Sequence, residues 1–382
     1  MQSIVNQNIF TVIYAFCFTF FIHGCTMIET PCRKDLSILR DKKNIYDIAR
    51  EAGVSIATVS RVLSGQQNVI GETVSKVMAV VEKYNYRPSA MARNLYQKRS
   101  KALALILPEM TNPYYAKLYA AAEEEARQNG YVLMLFHPPK GKSIDRELTD
   151  LLMDRRVDGV AINGEFLASD RNPEEFAMVQ ELSQYMPVVL TGCVLYELPC
   201  ITLTTDLSGC QKISVAHLHG LGHKRIALLC GNDDINIPQS RDVGYREALQ
   251  KAEIPYQPAY RVFGDCSTQG GYDAAKTLVE SLSPADWPTG IIAANDLVAL
   301  GVMKLLTEKG LRVPEDVSVI GCDDQFFSAY TAPALTTLDT KPQEIGIKAV
   351  LLLLASQENF KKEHYAITPT LISRASCGPC KG

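Results

Sequence analysis

The chain has 382 residues, of which 47% are hydrophobic, and a formal net charge of −3. This length exceeds one compact domain, and the composition is ordinary for a globular protein, so two or three folded units are expected. The 11 cysteines occur at irregular spacings in a chain large enough to bury its own core. They indicate reduced thiols in a cytosol and argue against a disulfide framework.

The charge is distributed unevenly along the chain. Residues 42–101 contain 11 Lys and Arg against 4 Asp and Glu, whereas residues 102–382 contain 25 against 35. A basic head on an acidic body is the asymmetry expected when only the head binds a polyanion. A solvated basic face without a partner is the alternative that these counts leave open.

An uncharged apolar run, IFTVIYAFCFTFFI, occupies residues 9–22 of an N-terminal extension over residues 1–43. The run is shorter than the roughly 20 residues that cross a bilayer as a helix. Its length suits a signal peptide, and Gly24-Cys25 follows it, but no Lys or Arg precedes it. We favour a third interpretation, in which Met27 is the true start and the first 26 residues are a gene-model extension.

Three short helices are predicted within residues 44–87. Asn44 can cap a helix over IYDIAREA, which Gly53 ends in a left-handed turn. The second helix begins at Ser55 and runs to Leu63, and a loop then leads to the third, GETVSKVMAVVEKYNY. An apolar stripe marks the third helix and consists of Val74, Val77, Met78 and Val81. Three helices, the first two joined by a turn at a glycine, predict a helix-turn-helix.

The second helix is predicted to have two chemically different faces. Val59, Val62 and Leu63 can pack inward, and the outward face then consists of Ser55, Ile56, Ala57, Ser60 and Arg61. Arg61 can donate two hydrogen bonds to guanine O6 and N7 or bind a phosphate, and Ile or Ala can contact a thymine methyl group. On this pattern alone, an ordinary three-helix packing unit is the alternative.

The stretch YDIAREAGVSIATVSRVLSG, followed by YNYRPSAMARNL, strongly resembles the head of the lactose/galactose repressor (LacI/GalR) family of bacterial transcription regulators. The resemblance continues through nearly all of residues 44–376. It implies that the second helix enters the major groove with Ile56, Ala57 and Arg61 at base edges. Other positions match those that hold the DNA backbone or neighbouring bases, namely Ile45, Tyr46, Ser55, Thr58, Ser60, Ser64 and Asn68.

A hinge is predicted over residues 88–100, where SAMARNLYQKRS is helix-capable and ends in a basic linker. Alone it would be marginal as a helix in water. The resemblance implies that two such hinges fold together on operator DNA, with Leu95 as a wedge in the minor groove and Ala92 against the partner hinge. Such a wedge kinks the duplex. A plain linker leucine is the alternative for Leu95.

Residues 101–376 alternate between short apolar runs and amphipathic segments. The runs are ALALIL, YVLMLF, DGVAIN, PVVLTG, RIALLC, TGIIAA and VSVIG, and a helix is expected after each, including helices over residues 114–128 and 144–155. This alternation predicts an α/β fold of parallel sheets in two lobes. It looks like the type I periplasmic-binding-protein fold, with the ligand between the lobes. A short tail, residues 377–382, carries CGPC, which lacks the second pair that a structural metal site needs. A redox pair is the alternative there.

Polar side chains follow several of the predicted strands, where ligands bind in such sheets. They are Asn112, Tyr114, Tyr115, Asn295, Asp296 and Asp323, with Arg241 in the stretch QSRDVGY. Amide, guanidinium and carboxylate groups beside aromatic faces suit a polyhydroxyl compound, and Arg241 is the expected centre of its hydrogen bonds. An equal alternative for Asp296 is to cap the helix that follows it.

The family resemblance bears on these positions one by one. It implies effector contacts at Arg241, Asn295 and Asp323 and a first-lobe wall at Tyr114 and Tyr115. The chain departs from the family at Cys266, which stands where an aromatic ring usually stacks on the ligand. That departure removes one stacking face and argues against a standard hexose pose.

We therefore predict a ligand-responsive transcriptional regulator, a repressor, that binds a palindromic operator as a homodimer in the cytoplasm. One short helix reads few bases, and a twofold partner doubles the site. The resemblance implies dimer faces near residues 114–129 and 144–155, and no leucine-rich heptad tail follows Ile372 to indicate a tetramer. The predicted partners are operator DNA, a sugar-like effector and a second copy of the chain, with no membrane.

Two other classes of protein are alternatives to this prediction. An exported sugar-binding protein would share the body fold and use the apolar N-terminus, but it has no use for a basic helix-turn-helix. An enzyme is disfavoured because the six histidines lack metal or nucleophile spacing and no GxxxxGK[ST] is present. The pair Asp323-Asp324 is insufficient for a metal site. No cofactor and no metal are therefore predicted.

Overall fold

A computed structural model of the chain describes residues 43–63, 69–86, 100–139, 141–165, 167, 172–231, 241–356 and 362–381. The chain divides into two compact units, Met1–Tyr96 and Gln97–Gly382, which we call the head and the body. The apolar run at residues 9–22 lies outside the described residues. Within the described part of the chain, no helix is both long enough and apolar enough to cross a bilayer.

The head contains three helices, α1 (Ile45–Ala52), α2 (Ile56–Leu63) and α3 (Gly71–Lys83). Asn44 caps α1, since its Oδ1 accepts hydrogen bonds from the backbone N–H groups of Tyr46 and Asp47. The Asp47 carboxylate accepts in turn from the Asn44 N–H, which completes a capping box. Gly53 ends α1 with a φ of 65°. The predicted start and stop signals of this helix are confirmed.

The core of the head is formed by one apolar residue or more from each helix. Ile48, Val59 and Val77 are fully buried, and Val74 and Val81 pack against them. Met78, the fourth member of the predicted apolar stripe, is 38% exposed and contributes less to this core than the three valines. Val77 already fills the centre of this small core, and the next residue along the helix points about 100° away.

The body is built from strands and helices that alternate over most of its length. In chain order these are β1 (Ala102–Ile106), α4 (Pro113–Gln128), β2 (Val132–Phe136), α5 (Arg146–Arg155), β3 (Val160–Asn163), α6 (Pro173–Tyr185), β4 (Val188–Thr191), β5 (Ile201–Thr205), α7 (Leu207–Gly220), β6 (Ile226–Cys230), α8 (Arg241–Lys251), β7 (Arg261–Phe263), α9 (Thr268–Glu280), β8 (Gly290–Ala293), α10 (Asp296–Glu308), β9 (Ser318–Ile320), β10 (Thr337–Asp339), α11 (Pro342–Ala355), β11 (His364–Ile367) and β12 (Thr370–Ile372).

Two parallel sheets define the two lobes. The first lobe holds the order β11-β5-β4-β3-β1-β2, and the second holds β7-β6-β8-β9. Every neighbouring pair in both sheets is parallel, for example Leu105 opposite Ala161 and Ile291 opposite Val319. The chain passes between the lobes after β5, after β10 and after β11, and β10 pairs with β12 in a short antiparallel ribbon. The predicted two-lobed α/β architecture is confirmed.

Several predicted details of the body were wrong. No helix follows β4, since the chain passes through a loop directly to β5, and β9 is followed by a 3-10 helix (Phe326–Ala329) and β10. The helix expected over 144–155 begins at Arg146 because the Asp145 carboxylate caps it by accepting from the Leu148 N–H. The strands β5, β7, β10, β11 and β12 were not predicted. Three-residue strands and a threonine-rich strand such as ITLTT carry little apolar signal.

The C-terminal tail packs against the second lobe. The Gly378 N–H donates to Ser318 Oγ, and His223 Nε2 lies 3.0 Å from the Gly378 carbonyl oxygen. The Cys377 thiol donates to the Val319 carbonyl, and burial raises its pKa to about 11. Cys377 and Cys380 are both free thiols. A thiol with a raised pKa forms little thiolate, which argues against the redox alternative for CGPC.

Close packing of α11 on α4 is set by one glycine. A Cβ added at Gly346 would collide with the carbonyl oxygen of Leu118, so the two helix backbones approach closely there. Gly346→Ala should therefore lower the free energy of unfolding of the body by about 1 to 3 kcal/mol, as overpacking does. The urea midpoint of the full chain measures this change.

Gly220→Ala is the matched control, because nothing lies within 4 Å of a Cβ built at that helical position. It should leave the urea midpoint unchanged or raise it slightly, since alanine favours the helix. Equal midpoints for both variants would contradict the close approach of α4 and α11.

Candidate functional site

The surface of α2 separates apolar packing from exposed polar groups. Val59 is fully buried and Val62 is nearly so, whereas Ile56 is 39% exposed and Ala57 and Arg61 are exposed. The outward set, completed by the half-buried Ser60, therefore presents two apolar side chains and one cation. This is a surface that can contact base edges in a DNA groove.

Two hydroxyls at the start of α2 serve the helix itself. Ser55 Oγ accepts from the Thr58 N–H at 3.1 Å and lies 2.8 Å from Thr58 Oγ1. They cap an end where free N–H groups and the helix dipole favour an anion such as a phosphate. Their predicted role at the DNA backbone stays a prediction.

Of the remaining predicted DNA contacts, two lie in the described part of the head and four lie outside it. Tyr46 is 63% exposed and available to a partner, whereas Ile45 is half-buried and packs against the head core. The other predicted contacts lie outside the described residues, namely Ser64, Asn68, Ala92 and Leu95.

Two tyrosines at the N-terminus of α4 lie on the first-lobe side of the cleft. Asn112, itself buried, caps α4 by accepting from the Tyr114 N–H at 3.0 Å. The Tyr114 and Tyr115 rings meet edge to face, with centroids 5.2 Å apart. The Tyr115 hydroxyl donates to Glu165 Oε2 at 3.1 Å. Burial raises the pKa of both tyrosines, and the charge of Glu165 adds to the rise.

Asp323 lies in the turn that follows β9, on the second-lobe side of the cleft. Its φ of 101° is unusual for a residue with a side chain, and the backbone is held by its N–H donating to the Leu338 carbonyl at 2.7 Å. Asp323 Oδ1 accepts from Thr340 Oγ1 at 3.0 Å. Burial raises the pKa of Asp323 to about 7, with a further rise from Asp296 and an opposing effect from Arg241.

The positive charge of Arg241 acts on groups from both lobes. It opposes the rise in pKa of Tyr114 in the first lobe and of Asp323 in the second. Arg241 therefore lies near both walls of the cleft, and its expected place at the centre of the ligand's hydrogen bonds stays a prediction. The structure brings together four of the predicted effector residues, Tyr114, Tyr115, Arg241 and Asp323.

Asn295 and Cys266 form a support beside this group. Asn295 caps α10 by accepting from the Val298 N–H at 2.8 Å, and its Nδ2 donates to the Cys266 carbonyl at 3.0 Å. Its amide thus fixes the loop that carries the half-buried Cys266. A direct contact of Asn295 with the effector stays a prediction.

Asp296 is fully buried, and its carboxylate holds the segment after β9 in place. It accepts from the Gln325 N–H at 2.7 Å, from Ser328 Oγ at 2.6 Å and from Thr337 Oγ1 at 2.5 Å. Burial raises its pKa to about 6, and these three bonds oppose the rise. The alternative that Asp296 caps α10 was wrong, because Asn295 is the cap. Because both of its oxygens already accept hydrogen bonds from the protein, Asp296 holds the segment that carries Asp323 in place.

Sequence reasoning missed two charged residues at the cleft, Lys117 and Glu165. Lys117 Nζ donates to the Asp324 carbonyl at 2.7 Å, which ties α4 of the first lobe to the Asp323 turn of the second. Asp324 is held in turn by Arg374, whose Nη2 lies 2.6 Å from Asp324 Oδ1. Glu165 follows the end of β3 by two residues, so the rule that ligands bind beyond strand carboxyl ends could have found it.

Comparison with known proteins agrees with both parts of the chain. Residues 44–89 match the family model for bacterial regulatory proteins of the lacI family, and residues 215–377 match that for a periplasmic binding protein-like domain. The chain is 31% identical over 337 residues to the HTH-type transcriptional repressor PurR of Haemophilus influenzae (strain PittEE), an alignment covering 87% of this chain and 98% of that protein.

Solved structures show the same likeness. The lac repressor dimer bound to operator and the anti-inducer ONPF superposes with a TM-score of 0.73 at 27% identity, covering 87% of this chain and 98% of that one. A complex of the transcriptional regulator CelR with cellobiose gives a TM-score of 0.64 at 26% identity, covering 87% and 99%. No group of three or more metal-binding side chains occurs among the residues described for this chain.

The raised pKa of Asp323 predicts how stability changes with pH. A folded-state pKa of about 7 for Asp323, raised from 3.8, means that the folded protein binds this proton more tightly than the unfolded chain. The resulting contribution to stability is complete below pH 4 and is lost as the pH rises through 7. Asp323→Asn should therefore flatten the fall in unfolding temperature between pH 5 and pH 8.

Thermal unfolding of the effector-free chain at several pH values measures this slope. Glu174→Gln, which removes an exposed carboxylate at the start of α6, is the control and should keep the wild-type slope. The same slope in Asp323→Asn and the wild type would overturn the assignment.

Proposed function

The chain belongs to the lacI family of bacterial regulatory proteins, and on this basis we propose that α2 and the cleft are its DNA-reading and effector-binding sites. The protein is a DNA-binding transcriptional regulator that responds to a small molecule. The observation that carries the assignment of the first site is the division of α2 into a buried face at Val59 and an exposed face at Ile56, Ala57 and Arg61.

Operator recognition by α2 would combine one polar and two apolar contacts. Arg61 is the group able to donate a bidentate pair to guanine, and Ile56 and Ala57 suit thymine methyl groups. The N-terminus of α2, capped by Ser55, would bind a phosphate and fix the position of the helix along the duplex. From these three contacts we expect an operator half-site in which a G·C pair lies beside A·T pairs.

A homodimer would double this short recognition surface on a palindromic operator. The related lac repressor was solved as a dimer bound to operator. In this chain α4 exposes Ala116 and Ala120, one helical turn apart, which would permit close approach of a partner helix. Phe326 and Tyr330 in the second lobe are also largely exposed and offer apolar surface for self-association.

The effector proposed for the cleft is a sugar or a similar polar metabolite. Tyr114 and Tyr115 offer aromatic surface, Arg241 donates hydrogen bonds and Asp323 accepts them, which suits a ring carrying several hydroxyls. The similar regulator CelR was solved with cellobiose. Cys266 gives this cleft a small side chain, so the ligand would lie differently from one stacked on an aromatic ring at that position.

Coupling between the sites would operate through the arrangement of the lobes. The hydrogen bond from Lys117 to the Asp324 carbonyl and that from Thr205 Oγ1 to the Thr340 carbonyl both join the lobes near the cleft. A ligand that binds one arrangement of the lobes more tightly than another shifts the balance between them by that difference in affinity. The hinge residues 88–100 are the proposed link from the body to DNA.

The lacI-family head distinguishes this protein from an exported sugar-binding protein with the same body fold. The match over residues 44–89 covers the helix-turn-helix, which such a binding protein lacks. We place the action of the regulator in the cytoplasm, because its operator DNA is there.

Arg61→Ala tests the DNA-reading assignment. Loss of a bidentate guanine contact should weaken operator binding by roughly 1 to 3 kcal/mol and relax specificity at one base pair per half-site. Fluorescence anisotropy with a set of single-substituted palindromes measures both effects. Lys76→Ala, which removes an exposed cation from α3, is the charge-matched control and should leave the base preference intact. A uniform loss across all sequences would make Arg61 a phosphate contact instead.

Arg241→Ala tests the cleft assignment. A thermal-shift screen of sugars and nucleosides on the full chain should yield a compound that raises the unfolding temperature of the wild type and changes its operator affinity. Because Arg241 is the proposed centre of the ligand hydrogen bonds, the variant should lose both responses while still binding operator. Retention of both responses would place effector binding outside this cleft.

A further inference from the structure

Glu165 brings a second carboxylate to the cleft, from the first lobe. Its backbone N–H donates to Asn163 Oδ1 at 3.2 Å, which fixes the turn at the carboxyl end of β3. Its Oε2 accepts from the Tyr115 hydroxyl at 3.1 Å, and the residue remains exposed. Within the described residues, Tyr115 is the one side chain that holds this carboxylate, so Oε1 is open to a ligand.

The ring that anchors Glu165 is itself rigid. Tyr115 is buried and its ring meets that of Tyr114 edge to face, both at the capped start of α4. The hydrogen bond from Tyr115 therefore aims Glu165 beside the aromatic wall proposed for the effector. A group fixed in this way recognises a ligand without a large loss of side-chain entropy.

The charge of Glu165, in the first lobe, affects groups in both lobes. Glu165 contributes to the raised pKa of Tyr114 and of Asp323, so its charge reaches across the cleft. Arg241 supplies one positive charge to these groups, and it already lies near Asp323. Lys117 directs its ammonium group to the Asp324 carbonyl.

An ionised carboxylate accepts hydrogen bonds and cannot donate them. A ligand that contacts Glu165 must therefore donate to it, through a hydroxyl or ammonium group. Charge-assisted bonds of this kind are stronger than neutral ones. A phosphate or carboxylate on the ligand would instead face the like charge of Glu165 and could donate no hydrogen bond to it, which disfavours binding.

We propose that Glu165 is a specificity-determining residue of the effector cleft, which selects unphosphorylated polyhydroxyl compounds, amino sugars included, over their phosphate esters. This inference rests on the proposed function, because it takes the cleft as the effector site. The two ideas separate by experiment, since Arg241 is expected to govern binding as such and Glu165 the discrimination among ligands.

The test is isothermal titration of the full chain with matched pairs of probes. The probes are glucose, glucosamine and glucose 6-phosphate, then ribose and ribose 5-phosphate, and finally cellobiose. The wild type should bind at least one unphosphorylated probe and bind the matching phosphate ester at least about tenfold more weakly, the factor expected for losing one charge-assisted hydrogen bond.

Glu165→Gln keeps the size of the side chain and an oxygen that can accept from Tyr115, but it removes the charge. It should weaken binding of the free sugar and shrink the ratio of its affinity to that of the phosphate ester by about tenfold. Glu174→Gln, at an exposed position on α6, is the matched control and should keep the wild-type ratio.

Five outcomes are decisive. A shrunken ratio in Glu165→Gln alone supports the inference. Tightest binding of a phosphorylated probe overturns it, as does an unchanged ratio in Glu165→Gln when Arg241→Ala still abolishes binding, and the proposed effector site then stands. Unchanged binding in both variants overturns the effector site as well. Failure of every probe to bind a wild-type chain that still binds DNA overturns the inference.

Discussion

The buried carboxylate of Asp296 is the interaction on which the cleft depends. It accepts three hydrogen bonds from the chain after β9, at Gln325, Ser328 and Thr337. Burying an ionised group costs free energy of folding unless the group is fully hydrogen-bonded. Loss of any one of these three bonds would therefore destabilise the whole segment. The same segment carries Asp323 at a positive φ, which is held in place only because its surroundings are fixed. The carboxylate of Asp296 thus fixes the position of Asp323, which we propose to contact the effector.

The segment after β9 also connects the two lobes. Asp324 receives Lys117 from α4 through its carbonyl and Arg374 through its carboxylate. Since Asp323 and Asp324 are adjacent, a ligand that moves the first must also disturb the lobe contact made at the second. If Asp323 binds the effector as proposed, effector recognition and lobe contact share one turn, and no separate relay is needed. This arrangement is a physical basis for the coupling that we propose.

The sequence predicted the parts of the molecule that depend on local chemistry. The cap at Asn44, the left-handed Gly53 and the two faces of α2 follow from residue type and helical spacing, and all three are present. Strands with continuous apolar runs were found for the same reason. Short strands such as β7 and β10 were missed, because their existence depends on neighbours that are distant in sequence. Arg241 and Asp323 were expected in the cleft from strand ends and from family resemblance.

The role of each residue at the cleft was harder to predict than its presence there. Asn295 and Asp296 are adjacent, and residue type alone made either one a helix cap or a ligand contact. The structure separates them through partners 29 to 41 residues away, which no local pattern encodes. Glu165 was missed because a carboxylate after a strand resembles any solvated loop residue until Tyr115 is seen to hold it.

The head and the body of the chain carry net charges of opposite sign, and they bind different kinds of ligand. Residues 42–101 carry an excess of Lys and Arg, which suits the phosphates of DNA, whereas residues 102–382 carry an excess of Asp and Glu. An acidic body does not compete with the head for DNA. The proposed role of Glu165 extends the same logic to small molecules, since its carboxylate would accept hydrogen bonds from a ligand and disfavour an anion. Phosphate would then be a ligand of the head alone, and one chain could respond to a neutral metabolite while bound to a polyanion.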